Sequence, residues 1–175
     1  MSIPFEKYSE LVQEHLERVH GIRVVTRDVE DPLIGDLDGA EIHIDYAVSP
    51  EQRLFLLAHL FGHTVQWNAN PNGVELGRPR RPPVPASEIP ALMEYERQAA
   101  SYALSMLHEI GITDVDQWLS DFTACDTAYL QHFYVTGEKR DFQSFWRIGT
   151  RTIDPTPIPE FRPAKRAWRS GGIVI

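Results

Sequence analysis

The sequence predicts an α+β fold: a small β-sheet packed on a mainly helical body. Three observations carry that prediction. Two short stretches, IRVVTRD (22–28) and AEIHIDY (40–46), alternate apolar and polar residues with the period of a strand. Longer stretches before and after them repeat apolar residues at helical spacing. A length of 175 residues with 42% hydrophobic content supports one core and is short for two. Residues 1–150 are therefore expected to form one domain, followed by a Pro-rich basic tail at 151–175.

Residues 4–20 place Phe5, Tyr8, Leu11, Val12, Leu16 and Val19 on one helical face, and Gly21 ends the run. The 22–28 strand follows. Residues 29–39 are rich in Asp and Gly and read as a loop, and the 40–46 strand sets Ile42, Ile44 and Tyr46 against Glu41, His43 and Asp45. A helix then starts at 50 and runs to about 66. Ser49 suits its N-cap, Pro50 its first turn, and Gln52 the third position of a capping box. Leu54, Phe55, Leu56, Leu57, Leu60, Phe61 and Val65 make this helix apolar nearly all round, the pattern of a buried helix. Gly62 costs about 1 kcal/mol of helix propensity relative to Ala, which fits a site where a neighbouring backbone comes close.

Residues 68–88 form a long loop containing seven Pro or Gly residues and the cluster Arg78, Arg80 and Arg81. That cluster reads as a solvated loop, with an acidic partner as the alternative. A second long helix spans 89–109, its buried face marked by Ile89, Leu92, Met93, Ala99, Tyr102, Ala103, Met106 and Leu107. Further helices are expected at 113–122, 124–136 and 141–148, where the aromatics recur at core spacing. The tail carries Arg162, Lys165, Arg166 and Arg169, ends in the apolar GGIVI, and reads as extended rather than a domain; docking in a groove of its own domain, packing on a neighbouring subunit and disorder are all open, with the apolar end favouring docking over disorder.

Charge and cysteine content narrow the function. The 25 acidic residues outnumber the 17 Lys and Arg, giving a net charge of −8, so direct nucleic-acid binding is not expected. No apolar run approaches the ~20 residues of a membrane span, and the first residues lack a signal-like apolar stretch. A cytoplasmic protein is expected. The single cysteine, Cys125, allows no internal disulfide or Cys-rich zinc site and has no activating motif beside it.

His59 and His63 stand four residues apart, on one face of the apolar helix. Both imidazoles can reach one metal ion, and burying two histidines there without partners would be costly. Such a site needs a third protein ligand. The 89–109 helix offers Glu94 and Glu96 in its first turns.

The run IHIDYAVSPEQRLFLLAHLFGH, followed by Glu96, Ala99, Ala100, Tyr102 and Ala103, resembles the ImmA/IrrE family of metallopeptidase-like proteins over residues 22–107. The resemblance implies a zincin-like fold with the metal site between the 50–66 and 89–109 helices. It further implies zinc as the cofactor, with Glu96 rather than Glu94 as the third ligand beside His59 and His63. Family members often work beside DNA-binding repressors, which implies a protein partner such as a transcription regulator.

Two positions depart from the family pattern. Leu60 occupies the place of the glutamate that acts as general base in H-E-x-x-H peptidases, and leucine cannot take a proton. Ala100 replaces an Asp or Asn that often orients a ligating histidine. The expectation is a metal-binding, non-hydrolytic relative acting through protein–protein contacts. One alternative is an active zinc peptidase whose base is displaced to Glu94, Glu75 or Asp45. Another is a metal-free structural domain in which His59, His63 and Glu96 only hydrogen-bond. His43 is expected on the strand's outer, surface or cleft side. His15, His20, His108 and His132 read as ordinary helix-surface residues.

Overall fold

The computed structural model describes residues 2–31, 33–166 and 170–171, the last two by their backbone. The chain order is α1 (Phe5–Arg18), β1 (Arg23–Arg27), β2 (Gly35–Leu37), β3 (Glu41–Asp45), α2 (Pro50–Ala69), α3 (Gly73–Leu76), α4 (Ile89–Glu109), α5 (Asp116–Thr136) and β4 (Ser170–Gly171). A short 3-10 turn, Phe142–Phe145, follows α5. The class is α+β, with a three-stranded mixed sheet of β1, β3 and β2 and five α-helices among the described residues. β1 runs parallel to β3 and β2 antiparallel to it. The two-residue β4 adds to the free edge of β2.

The α2 helix is the centre of the molecule. The expected capping box is present: Ser49 accepts from the Gln52 amide while Gln52 Oε1 accepts from the Ser49 amide. From Leu54 to Trp67 every residue is buried. The sheet, α1 and α4 pack around it. The α4 helix runs antiparallel to α2, since Gly62 meets Ala99 while Gln66, one turn on, meets Tyr95. The α5 helix packs on α4 and also reaches α2, where Phe122 stacks on Phe55 and Trp118 donates to Glu51.

Several expectations change. The segments 113–122 and 124–136 are one continuous helix from Asp116, because nothing between them breaks it; Gly137, at φ 73°, ends it. The 141–148 helix is only the 3-10 turn. The 29–39 loop contains β2, a strand of three residues, all buried and too short to show alternation. The 68–88 loop contains the one-turn helix α3. On α1, Val12 and Leu16 are buried as expected, but Leu11 and Val19 are exposed.

His43 is not on an outer face; it is buried. β3 is the middle strand, and Asp36 on β2 stands directly across from His43 in register. The two side chains are hydrogen-bonded, and Glu41 lies 3.2 Å from the other ring nitrogen. A buried imidazole is tolerated there because both its nitrogens have partners.

Beyond the 3-10 turn the chain is extended and lies back along the body. Ser120 Oγ accepts from the Ile153 amide, and Ser105 donates to the Thr156 carbonyl. Ile153, Ile158 and Phe161 pack on the core. Further along, Ala164 donates to Gly39 and Arg166 to Asp38 through their backbone amides. Arg169 and the apolar end at 172–175 lie outside the described residues. No described helix is long and apolar enough to cross a membrane.

Candidate metal centre

The antiparallel register of α2 and α4 builds the centre. Because Gly62 has no side chain, the α4 backbone at Ala99 closes onto it: a Cβ there would stand 2.8 Å from the Ala99 Cα. Glu96, three residues before Ala99, then lies over the histidine face of α2. Glu94 is two residues further back, roughly 200° around the helix axis, and so points away. It is exposed and ion-paired with Arg97.

His59, His63 and Glu96 form a buried group that could hold a metal ion. His63 Nε2 lies 3.1 Å from His59 Nε2 and 3.1 Å from Glu96 Oε2. His59 Nε2 lies 3.4 Å from the same oxygen. A four-coordinate zinc with ligand bonds of ~2.0–2.1 Å holds its donor atoms ~3.3–3.4 Å apart, so these spacings already suit a shared ion.

The hydrogen bonds around His63 fix its tautomer. Gln66 Nε2 donates to the Tyr95 carbonyl, which can only accept, and to Gln98 Oε1. The other end of the Gln66 amide is therefore an acceptor, and it faces His63 Nδ1 at 2.8 Å. His63 Nδ1 carries the proton in that bond. In the neutral ring Nε2 is then a bare lone pair, aimed at a second imidazole nitrogen and a carboxylate oxygen. Bare lone pairs that converge in a dry interior repel unless a proton or a metal ion lies between them.

The surroundings are apolar. His63 stacks on Tyr95, with ring centres 4.5 Å apart, and His59 stacks on Phe55 at 5.1 Å. Burial pushes His59 down to about 3, the neighbouring His63 adding to the effect and Glu96 opposing it. Burial works to raise the Glu96 carboxyl, but the His63 and His59 imidazoles hold it below the ordinary range. A neutral imidazole and an ionised carboxylate are the forms that bind metal.

One buried acid beside these three residues was not read from the sequence. Asp126, on α5, is buried, and its Oδ2 lies 3.9 Å from His59 Nε2. Its Oδ1 has no hydrogen-bond partner among the described residues, and neither has His59 Nδ1. Burial, and then the nearby Glu96, raise the Asp126 carboxyl well above the usual carboxylate range. Its only sequence signal is an acid within the apolar run of α5; the segment gave no reason to connect it to the histidines.

The remaining candidates lie elsewhere. Leu60 is fully buried and packs toward β2, where a Cβ on Gly35 would meet its Cδ1 at 3.2 Å. Ala100 is buried. Glu75 is exposed beside Arg78, at 3.8 Å. Asp45 accepts from the backbone amides of Val29 and Ala47 and so serves the turn after β3. Cys125 is buried, donates to the Phe142 carbonyl, and is pushed up to about 12 by burial and then by Asp126, which leaves no reactive thiolate at neutral pH. Two further groups have metal-ligand spacing: the half-buried His15 and His20 with Glu109, and Asp38 with Glu41 and His43. His15 and His20 are thus not plain surface residues, since both reach the same Glu109 carboxylate, at 3.2 and 3.6 Å.

Comparison of the chain with models of known protein families, with curated proteins and with solved structures finds no match.

Proposed function

We propose that this protein is a zinc-binding, non-hydrolytic relative of the ImmA/IrrE peptidases that acts through contact with a protein partner. The observation that carries the metal is the convergence of His59 Nε2, His63 Nε2 and Glu96 Oε2, with Gln66 holding the His63 proton on the far side of its ring. Two imidazoles and a carboxylate are a donor set suited to zinc. A bound zinc supplies Lewis acidity and, in this setting, a link between helices. The chain's own residues hold and orient it: His59 and His63 from α2, Glu96 from α4, and Gln66 behind His63.

The absence of hydrolysis rests on Leu60. A peptidase of this type needs a proton acceptor within hydrogen-bond reach of the attacking water. The side chain at 60 is a hydrocarbon buried against β2, and Glu94, Glu75 and Asp45 are each engaged away from the histidines. The expectation of a protein partner, such as a transcription regulator, rests on the family resemblance of residues 22–107. The net charge of −8 agrees with action through a protein rather than on nucleic acid.

Metal analysis of protein purified without a histidine tag tests the reading. About one equivalent of zinc is expected, because a buried site of this kind fills; less than about 0.1 equivalent would refute it. Cleavage of a peptide or of a co-purified partner that is lost in Glu96→Ala would refute the non-hydrolytic part.

A further inference from the structure

The buried acid on α5 has no role in the reading above. Asp126 is 1% exposed, its Oδ1 has no partner among the described residues, and its Oδ2 faces His59 across 3.9 Å. A carboxylate placed in a dry interior beside a second one, Glu96, is strongly disfavoured unless it takes up a proton or the two share a cation. Nothing on α5 itself offsets it. Its sequence neighbour Cys125 donates elsewhere, to the Phe142 carbonyl.

We propose that Asp126 is the fourth protein ligand of the metal, which makes the centre a closed, structural one. The inference rests on the metal reading of His59, His63 and Glu96. The four side chains come from three helices, and each helix contributes for its own reason. His59 and His63 share a face of α2. Glu96 reaches them because Gly62 lets α4 close in. Asp126 reaches them from α5, which packs on α4. The other three donors are separated by 3.1–3.4 Å; Asp126 stands 3.9 Å from His59, against the ~3.3–3.4 Å of a tetrahedral zinc shell, and lies outside the group of atoms that are all within 4.8 Å of one another. Ligation therefore requires the Asp126 side chain to turn from this position toward the other three donors.

The distinction matters because catalytic and structural zinc sites differ in coordination. Catalytic sites keep a position for water or substrate, whereas structural sites are filled by four protein ligands. With Asp126 in the fourth position no water is activated, and the lost base at Leu60 has no work to do. The ion instead ties α5 to the α2–α4 pair. The loss of peptidase chemistry and the gain of a fourth ligand are then one change of use.

Cobalt(II) substitution tests this on the full chain. Wild type is expected to bind one cobalt with the strong visible bands of a four-coordinate site. Asp126→Asn should lower affinity by more than the ~10–100-fold typical of losing an outer-shell partner. Asp126→Cys should bind cobalt and add a thiolate-to-cobalt charge-transfer band in the near ultraviolet, absent from wild type. That band appears only if the side chain at 126 touches the ion, so it separates ligation from a packing role. It also decides the matter if Asp126→Asn does not fold. Cobalt binding by wild type together with native affinity in Asp126→Asn, or with no charge-transfer band in Asp126→Cys, overturns the fourth ligand and leaves the three-ligand reading standing. No metal bound by wild type overturns both.

Discussion

Gly62 on α2 lies against the backbone of Ala99 on α4, so closely that any side chain at 62 would collide with it. The contact sets the spacing of the two helices that hold the candidate centre. Alanine at 62 would gain about 1 kcal/mol in helix propensity. The clash outweighs that gain, because the opposing atoms belong to a helix backbone and cannot rotate aside. Overpacking of this kind costs about 1–3 kcal/mol. Gly62→Ala should therefore lower the melting temperature and also weaken metal binding, by moving Glu96 away from His63. A melting temperature at or above wild type would show that the helices can part without cost.

Gln66 orients His63 in the same way that an Asp or Asn orients ligating histidines elsewhere, but from the next turn of the same helix. The sequence resemblance places an orienting residue at position 100, where this chain has alanine. Gln66→Leu removes the acceptor of the Nδ1 proton and frees the ring. Zinc affinity should fall by about 10–100-fold, measured by competition with a chromophoric chelator, while far-ultraviolet circular dichroism stays near wild type. Unchanged affinity would mean that packing on Tyr95 alone fixes the ring.

Much of the fold was legible because its signals are local. The Ser49–Gln52 capping box, the all-round apolarity of α2 and the i, i+4 histidine pair each lie within a few residues, and the structure keeps all three. Glu96 was preferred to Glu94 only through a family resemblance, since propensity could not choose between them; the structure brings Glu96, not Glu94, to the histidines. What was missed depends on contacts distant in sequence. Asp36 meets His43 across a sheet whose β2 strand is three residues long, and its lack of alternation hid both the strand and the burial of His43. Asp126 meets His59 only after α5 has folded back on α4, and no local pattern records that. Gln66 bridges α2 to α4, so its role is invisible until the helices are in register.

The His43–Asp36 pair should make stability depend on pH. Its hydrogen bond with Asp36 raises the His43 imidazole above its ordinary value, burial opposes this, and Glu41 adds to it. A group raised on folding favours the folded state while it is protonated. The contribution is full below the unfolded histidine value of about 6.5 and is lost as pH rises through the higher folded value. Thermal melts of wild type and His43→Asn across pH 6 to 9 should therefore converge as pH rises, with the variant further below wild type at the acid end. Taking the difference between the two chains removes any pH dependence that they share. A constant difference would show that the pair contributes only packing.

Restoring the glutamate of the peptidase pattern with Leu60→Glu should not create a peptidase. In this chain Leu60 is fully buried, and its side chain fills space beside Gly35 and near Leu56. A carboxylate there would replace a packed hydrocarbon and find no counter-charge in that contact. The cost should be large, about 3 kcal/mol or more, and seen as a fall in melting temperature. A base must also reach a water on the metal, and the added acid would point into packed core instead. Peptide hydrolysis at the level of the no-enzyme control, in a variant that still binds zinc, is the expected result. Zinc-dependent cleavage gained by Leu60→Glu would instead mean that the centre keeps an open coordination position and that one lost carboxylate alone separates this protein from an active enzyme.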